Sequence, residues 1–229
     1  NLSLHRAAGR DTHFSGTLDW AVRWVLLIGV PSALALVLLA QPILITLFQY
    51  GKLTSNDVSM SALSLQAYSL GLVAFMLVKV LAPGFYARKD TATPVKIGII
   101  AMVANMFMNV LLAVPLMYLW NVGHVGLALA TSLAAILNAG LLLRGLLRNG
   151  IYQFQPGWVS YLWRLLFACA CMVAAILWLV PEHGTWLGWH WQRRVGELLL
   201  LCTVGVIVYF AALGLLGTRM SHLRAPATF

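Results

Sequence analysis

Charged residues are scarce in this chain. Asp, Glu, Lys and Arg together make up 9% of its 229 residues, whereas 61% are hydrophobic and the mean hydropathy is +0.86. Because an ordinary soluble domain is about 25% charged, this composition excludes a water-soluble globular protein. A membrane-spanning helix needs about 20 mainly apolar residues, so the length allows about six spans and leaves no room for a sizeable soluble domain.

Acidic residues are the scarcest of all, with 6 Asp and Glu against 15 Lys and Arg, which gives a net charge of +9. Such an excess of positive charge is also found in nucleic-acid-binding proteins. Here, however, the basic residues lie between apolar runs, a pattern typical of the basic cytoplasmic loops of membrane proteins. The sequence therefore predicts a membrane partner and no nucleic acid.

Enzyme signatures are missing as well. The chain contains no G-x-S-x-G, no P-loop, no H-E-x-x-H and no paired carboxylates within one apolar run, so no catalytic residues are predicted. Its three cysteines, Cys169, Cys171 and Cys202, all lie in apolar runs and are interpreted as packing residues rather than metal ligands or disulfide partners.

Six apolar runs are long enough to cross a membrane as helices. They cover residues 20–48, 58–82, 95–119, 124–147, 159–180 and 195–216. Pro31 is expected to kink or shorten the first helix, and Pro42 to break it again near its far end. The fold class predicted from this pattern is an all-α, polytopic bundle of about six transmembrane helices.

The distribution of Lys and Arg predicts the orientation of the bundle. Eleven of these residues fall on one side of the alternating spans and three on the other, so both ends are expected to be cytoplasmic. The predicted divisions are a cytoplasmic leading segment over residues 1–19, a transmembrane region over 20–217 and a cytoplasmic tail over 218–229. Since the first residue is Asn1 rather than Met, the chain is expected to begin inside a larger protein.

Lys79 is the one charged residue clearly inside a predicted span, near the end of the second. A charge inside the membrane is costly unless it is paired or hydrated, so such residues often have a function. Its side chain could extend to the membrane surface and place the ammonium group among the lipid headgroups, or it could face a cavity and contact a phosphate. The sequence leaves both interpretations open.

Polar side chains also lie in the third and fourth spans. Asn105 and Asn109 are four residues apart and share one helix face. In the fourth span Gly126, Ala130, Ala134 and Asn138 form a stripe of small residues that would let a neighbouring backbone approach closely, with Thr131 beside it. These amides and hydroxyls either hold helices together or supply oxygen ligands to a cation.

Five stretches of the chain, in order, resemble the MurJ (MviN) family of lipid II flippases. They are residues 18–20 (LDW), 47–54 (LFQYGKLT), 78–88 (VKVLAPGFYAR), 93–97 (TPVKI) and 155–158 (QPGW). The resemblance covers essentially the whole chain. It implies the fold of the multidrug/oligosaccharidyl-lipid/polysaccharide exporter superfamily, fourteen helices in two lobes, of which this chain would be the last six.

The resemblance implies a function in bacterial peptidoglycan biosynthesis. Members carry undecaprenyl-linked lipid II from the inner to the outer leaflet of the cytoplasmic membrane by alternating access. Expected partners are therefore lipid II, membrane lipids and a missing N-terminal half. A groove formed by the last two helices would take the undecaprenyl tail.

The same resemblance implies a sodium site as the one candidate for a coupling ion, with no other cofactor or metal. Its ligands would be Asn105, Asn109, Thr131 and the Leu127 carbonyl. Lys79 is the candidate contact for a lipid headgroup. Some members have Asp where this chain has Asn109, so this chain lacks a negative charge that would neutralise the ion.

Two alternative functions remain open at this point. One is export of other polyprenyl-linked oligosaccharides or drugs by a related transporter. The other is a membrane-embedded glycosyltransferase that acts on lipid substrates, although Asp57 and Glu182 on the outer side do not form a convincing carboxylate pair.

Overall fold

The described part of the chain folds into seven helices, six of them long. The computed structural model describes residues 2–50, 53–181 and 183–217, and it describes side-chain surroundings from residue 14 onward except at 183 and 184. The helices are α1 Leu2–Phe48, α2 Ser55–Tyr86, α3 Ala92–Trp120, α4 Gly123–Arg148, α5 Trp158–Leu179, α6 His183–Gly188 and α7 Trp191–Leu215. No strand occurs among these residues.

All helices except α6 are long and apolar enough to cross a membrane. This confirms the six spans and the all-α, polytopic fold expected from the sequence. α1 begins at Leu2, and the part of it that could span a membrane begins at Phe14. The division between a leading segment and a membrane region at residue 19 stays a prediction, and the tail 218–229 lies outside the described residues.

The prediction that Pro42 breaks the first helix is wrong, since α1 continues through Pro31 and Pro42 to Phe48. A proline cannot donate a hydrogen bond to the carbonyl four residues earlier, and for Pro31 that carbonyl belongs to Leu27. The Tyr209 hydroxyl of α7 donates to the Leu27 carbonyl at 2.7 Å. Beyond Pro42, the Thr46 hydroxyl donates to the Pro42 carbonyl at 2.7 Å. Membrane helices tolerate proline where a neighbouring group satisfies the freed carbonyl, as the Tyr209 hydroxyl does at Leu27.

The helices form two groups that share α1. α4 packs between α2 and α3, α5 packs against α7, and α1 contacts α2 on one side and the α5–α7 pair on the other. The core follows this division: one apolar cluster joins α1, α5 and α7, and a second joins α1, α2 and α4.

Small residues let α4 approach its neighbours closely, as the sequence predicted. A Cβ atom added at Gly126 would lie 2.6 Å from the Ala113 Cα of α3, and one added at Gly71 of α2 would lie 2.8 Å from the Ser132 Cα. At the second crossing the Ser132 hydroxyl donates to the Ala67 carbonyl at 2.6 Å. Backbones at this distance bring the polar residues of α2, α3 and α4 together.

Candidate functional site

Polar side chains from three helices line one pocket inside the predicted membrane region. The pocket has a volume of about 420 Å³ and lies between α2, α3 and α4. Its polar lining consists of Lys79, Asn105, Thr131 and Asn138, and the rest is apolar. The sequence analysis predicted Asn105 and Thr131 as ligands of one cation site and Lys79 as a separate headgroup contact, and all three line this pocket.

The amide oxygens on α3 are the least satisfied polar atoms of this region. The Oδ1 atoms of Asn105 and Asn109 are both buried, and neither accepts a hydrogen bond from the described residues. A buried acceptor without a donor is unfavourable by about 1–3 kcal/mol. Such atoms either bind something else or reduce stability, so they are the strongest indication of a ligand in this group of helices.

The other two predicted ligands are arranged differently. Thr131 donates its hydroxyl hydrogen to the Leu127 carbonyl one turn earlier, at 2.9 Å. This leaves lone pairs of the Thr131 oxygen able to accept, whereas the Leu127 carbonyl already accepts this hydrogen bond and a cation would have to share it. Neither Asn109 nor Leu127 lines the pocket. The structure thus places Asn105 and Thr131 in the pocket and the other two candidates beside it.

The chemistry of these donors fits a cation in part. Amide and hydroxyl oxygens are suitable ligands for a hard cation. No carboxylate is among the described residues that line the pocket, however, and the described residues contain no cluster of three or more His, Cys, Asp or Glu. The described residues supply neutral ligands and, with Lys79, one positive charge.

Sequence reasoning did not identify Asn138 as a pocket residue, because it read Asn138 as the last member of the small-residue stripe. Asn138 follows Ala134 by one helical turn, and both line the pocket. An amide at the end of a stripe of glycine and alanine was the signal that could have found it.

An apolar pocket of about 280 Å³ lies in the other half of the bundle. α5 contributes Met172 and Ile176, and α7 contributes Gly205 and Val206. The last two membrane-spanning helices therefore line an apolar pocket together, and its use by an undecaprenyl tail stays a prediction. α1 also lines it, through residues around Pro31, which the sequence analysis did not foresee.

A buried polar junction fixes α1 to the connection between α4 and α5. Asp19, only 2% exposed, forms an ion pair with Arg23 at 2.8 Å and accepts hydrogen bonds from the Tyr152 hydroxyl at 2.8 Å and the Trp158 indole at 2.7 Å. The Arg23 guanidinium donates to the Pro156 carbonyl at 3.1 Å. Two of the stretches that carried the family resemblance, 18–20 and 155–158, thus meet here.

At the opposite end of α1, a buried arginine joins α1 to α7. Arg194 is 8% exposed and donates to the Trp189 and Leu187 carbonyls at 3.0 Å each and to the Ile45 carbonyl at 3.4 Å. Ile45 lies in the last turn of α1, where helix carbonyls carry partial negative charge, so this position suits a cation.

Comparison with known proteins places this bundle in one protein family. Residues 1–188 match the family described as "Lipid II flippase MurJ". A "Probable lipid II flippase MurJ" of Vibrio cholerae is 46% identical over 224 residues, which cover 98% of this chain and 42% of that protein. A protein of the same description from Haemophilus influenzae is 47% identical over 210 residues, which cover 92% of this chain and 40% of the relative.

The fold is similar to that of a solved structure, "Lipid II flippase MurJ, inward closed conformation". The two superpose with a TM-score of 0.65 at 23% sequence identity, over 88% of this chain and 39% of the other. The chain spans about two-fifths of the length of the curated relatives it matches.

Proposed function

This chain belongs to the MurJ family of lipid II flippases, and on that premise we propose that it forms the part of a flippase that carries lipid II from the inner to the outer leaflet. The movement would follow alternating access, in which one helix bundle rocks against another around a fixed binding site. No bond in the lipid needs to form or break, so the proposed activity is transport without catalysis. This function also leaves the glycosyltransferase alternative without support.

The observation that carries this proposal is the presence of two chemically different pockets in one bundle. A lipid-linked sugar has a polar headgroup and a long apolar chain, and a carrier must accommodate both. The pocket between α2, α3 and α4 presents an ammonium, two amides and a hydroxyl, whereas the one between α1, α5 and α7 is almost entirely apolar. We assign the apolar pocket to the polyprenyl tail, and Lys79 to contact with a phosphate of the headgroup or of a phospholipid.

The unsatisfied amides support a second part of the proposal, a site for a sodium ion as the coupling ion. Asn105 and Asn109 would supply amide oxygens, and Thr131 and the Leu127 carbonyl would complete the site on α4. Entry of the ion into this site would depend on the sodium gradient across the membrane. Because these ligands are neutral, a carboxylate from outside this chain is needed to neutralise the ion.

The proposed location is the bacterial inner membrane, with both ends of the chain cytoplasmic. The excess of Lys and Arg on the side of both chain ends supports the cytoplasmic placement. The Asp19–Tyr152 and Arg194–Ile45 contacts, at opposite ends of α1, agree with the alternation of the spans. The proposed partners are lipid II, the surrounding lipids and the remainder of the flippase polypeptide, since the relatives are more than twice as long.

A chimera tests the proposed function. Residues 1–229 replace the matching segment of the Vibrio cholerae relative, in cells depleted of their own lipid II flippase. We expect growth and normal cell shape to be restored. A chimera that is present in the membrane at the level of the unaltered relative and yet leaves the cells to lyse would contradict the proposal.

A further inference from the structure

Lys79 lines the same pocket as Asn105, the residue whose buried amide oxygen is proposed to bind the cation. The side chain is exposed and makes no hydrogen bond or ion pair with the described residues. A positive charge in this place is unexpected for a cation site, because two like charges in one pocket repel each other strongly where water is scarce.

The geometry of the helices directs Lys79 toward the pocket interior rather than toward the near membrane surface. Lys79 lies about 10 Å before the end of α2 at Tyr86, since an α-helix rises about 1.5 Å per residue. Side chains of a helix lean toward its N-terminus, which for α2 is the direction away from that end. Phe75, one turn earlier in this direction, also lines the pocket.

The Asn105 side chain reaches the same height along the bundle as that of Lys79, from the opposite direction. It lies about 20 Å from the start of α3 at Ala92, and a short turn joins that start to the end of α2. On α3 the lean toward the N-terminus points back toward the turn, so the Lys79 and Asn105 side chains converge. Asn138, about 15 Å before the end of α4 at Arg148, lies between these levels.

An ammonium group also satisfies the chemistry of the pocket. It has three hydrogens to donate and no lone pair to offer, and the buried Oδ1 of Asn105 is an acceptor without a donor. A bound ammonium would therefore use the same oxygen that a metal cation needs. Only one of the two can occupy it.

We propose that the Lys79 ammonium is a built-in competitor for the cation of this pocket. When the Lys79 side chain leans inward, its charge lies at Asn105 and weakens cation binding. When it turns outward, toward a phosphate, the amide oxygen of Asn105 is free to bind the cation. Occupation of the site by an external cation is thereby linked to what Lys79 contacts. This inference rests on the proposed cation site and adds its regulation.

The test measures sodium binding to the purified chimera with the full length of the relative. The midpoint of thermal unfolding is followed as NaCl replaces choline chloride at constant ionic strength, in the unaltered chimera and in Lys79→Met. Methionine keeps the length and removes the charge. We expect Lys79→Met to bind sodium at least about ten-fold more tightly than the unaltered chimera. The double variant Lys79→Met/Asn105→Ala should lose the shift of its unfolding midpoint with sodium.

Lys96→Met is the matched control, because Lys96 is exposed on α3 and does not line the pocket. It should respond to sodium as the unaltered chimera does. Lys79→Gln provides a second charge-free variant if Lys79→Met is not monodisperse in detergent.

The outcomes separate this inference from the cation site on which it rests. Equal sodium responses in the unaltered chimera and in both Lys79 variants, abolished by Asn105→Ala, would overturn the competition and leave the site intact. The absence of any sodium response in all of these proteins would overturn both. A response that appears only after removal of the Lys79 charge would support the competition in its strongest form.

Discussion

The Tyr152 hydroxyl donates a hydrogen bond of 2.8 Å to the buried carboxylate of Asp19, 133 residues earlier in the chain. Burial and the adjacent carboxylate raise the pKa of the Tyr152 phenol, so it stays a donor across the physiological range. Through this bond the connection between α4 and α5 is held against the first turns of the membrane-spanning part of α1. The α5–α7 pair and the α2–α4 group are thus joined at one end of α1.

Replacement of this donor is expected to loosen the junction. Tyr152→Phe removes one hydrogen bond to a charged, buried acceptor, so we expect a loss of about 1.5–3 kcal/mol of stability. Asp19→Ala should destabilise more, because it also leaves Arg23 without its ion-pair partner. Thermal unfolding of the chimera in detergent measures both, with Tyr118→Phe as the control, since Tyr118 is 83% exposed. Equal stability of Tyr152→Phe and the control would contradict this account.

The bond from Tyr209 to the Leu27 carbonyl allows a double-mutant test. Tyr209→Phe leaves the Leu27 carbonyl, which Pro31 cannot serve with a backbone N–H, without a donor. The protein should lose about 1–3 kcal/mol of stability. Pro31→Ala restores a backbone N–H for the same carbonyl, so the double variant should recover much of this loss. Additive losses in the two variants would mean that Tyr209 does not replace the missing helical bond.

Two glycines of α4 are expected to respond in opposite directions to the same change. Gly126→Ala would place a Cβ 2.6 Å from the Ala113 Cα and force α3 away from α4, so it should destabilise the protein clearly. A Cβ at Gly140 meets nothing within 4 Å, so Gly140→Ala should be neutral or stabilise the helix by about 0.5–1 kcal/mol. Unfolding midpoints of the two variants provide the comparison, and similar losses in both would argue against the close crossing.

Arg194 is expected to tolerate even a conservative replacement poorly. Its guanidinium donates to three carbonyls in different directions, a pattern that the single ammonium of lysine cannot reproduce with its stem in the same place. Arg194→Lys should therefore lower the unfolding midpoint. The adjacent Arg193 is exposed and forms one long ion pair, 4.0 Å, with Glu197, so Arg193→Lys is the matched control. A midpoint shift of the same size in the control would contradict the proposed role of Arg194.

The fold could be predicted from the sequence because the helices are surrounded by lipid rather than by water. Apolar runs of about 20 residues can only be helices there, since every backbone group must be paired within the segment. The spans and their alternation followed from this. What could not be predicted was the fate of α1 at Pro42, because the continuation of a helix past a proline depends on its surroundings, as the bond from Tyr209 to the carbonyl freed by Pro31 illustrates.

The site could be predicted only in part for a related reason. Periodicity placed Asn105 and Asn109 on one face of α3, but which residues of α2 and α4 oppose that face depends on helix rotation and packing. That Lys79, Asn105 and Asn138 line one pocket is visible only in three dimensions. The family resemblance supplied the candidate ligands, and their role as cation ligands stays a prediction.

The most direct test of the central claim is the amount of lipid II that reaches the outer leaflet in cells carrying only the chimera. A membrane-impermeant enzyme that cleaves lipid II, added outside the cells, reports this amount, and immunoblotting shows that the chimera is inserted. The account predicts cleavage at a level near that of the unaltered Vibrio cholerae relative. Lipid II that stays protected inside cells with a normally inserted chimera would contradict it.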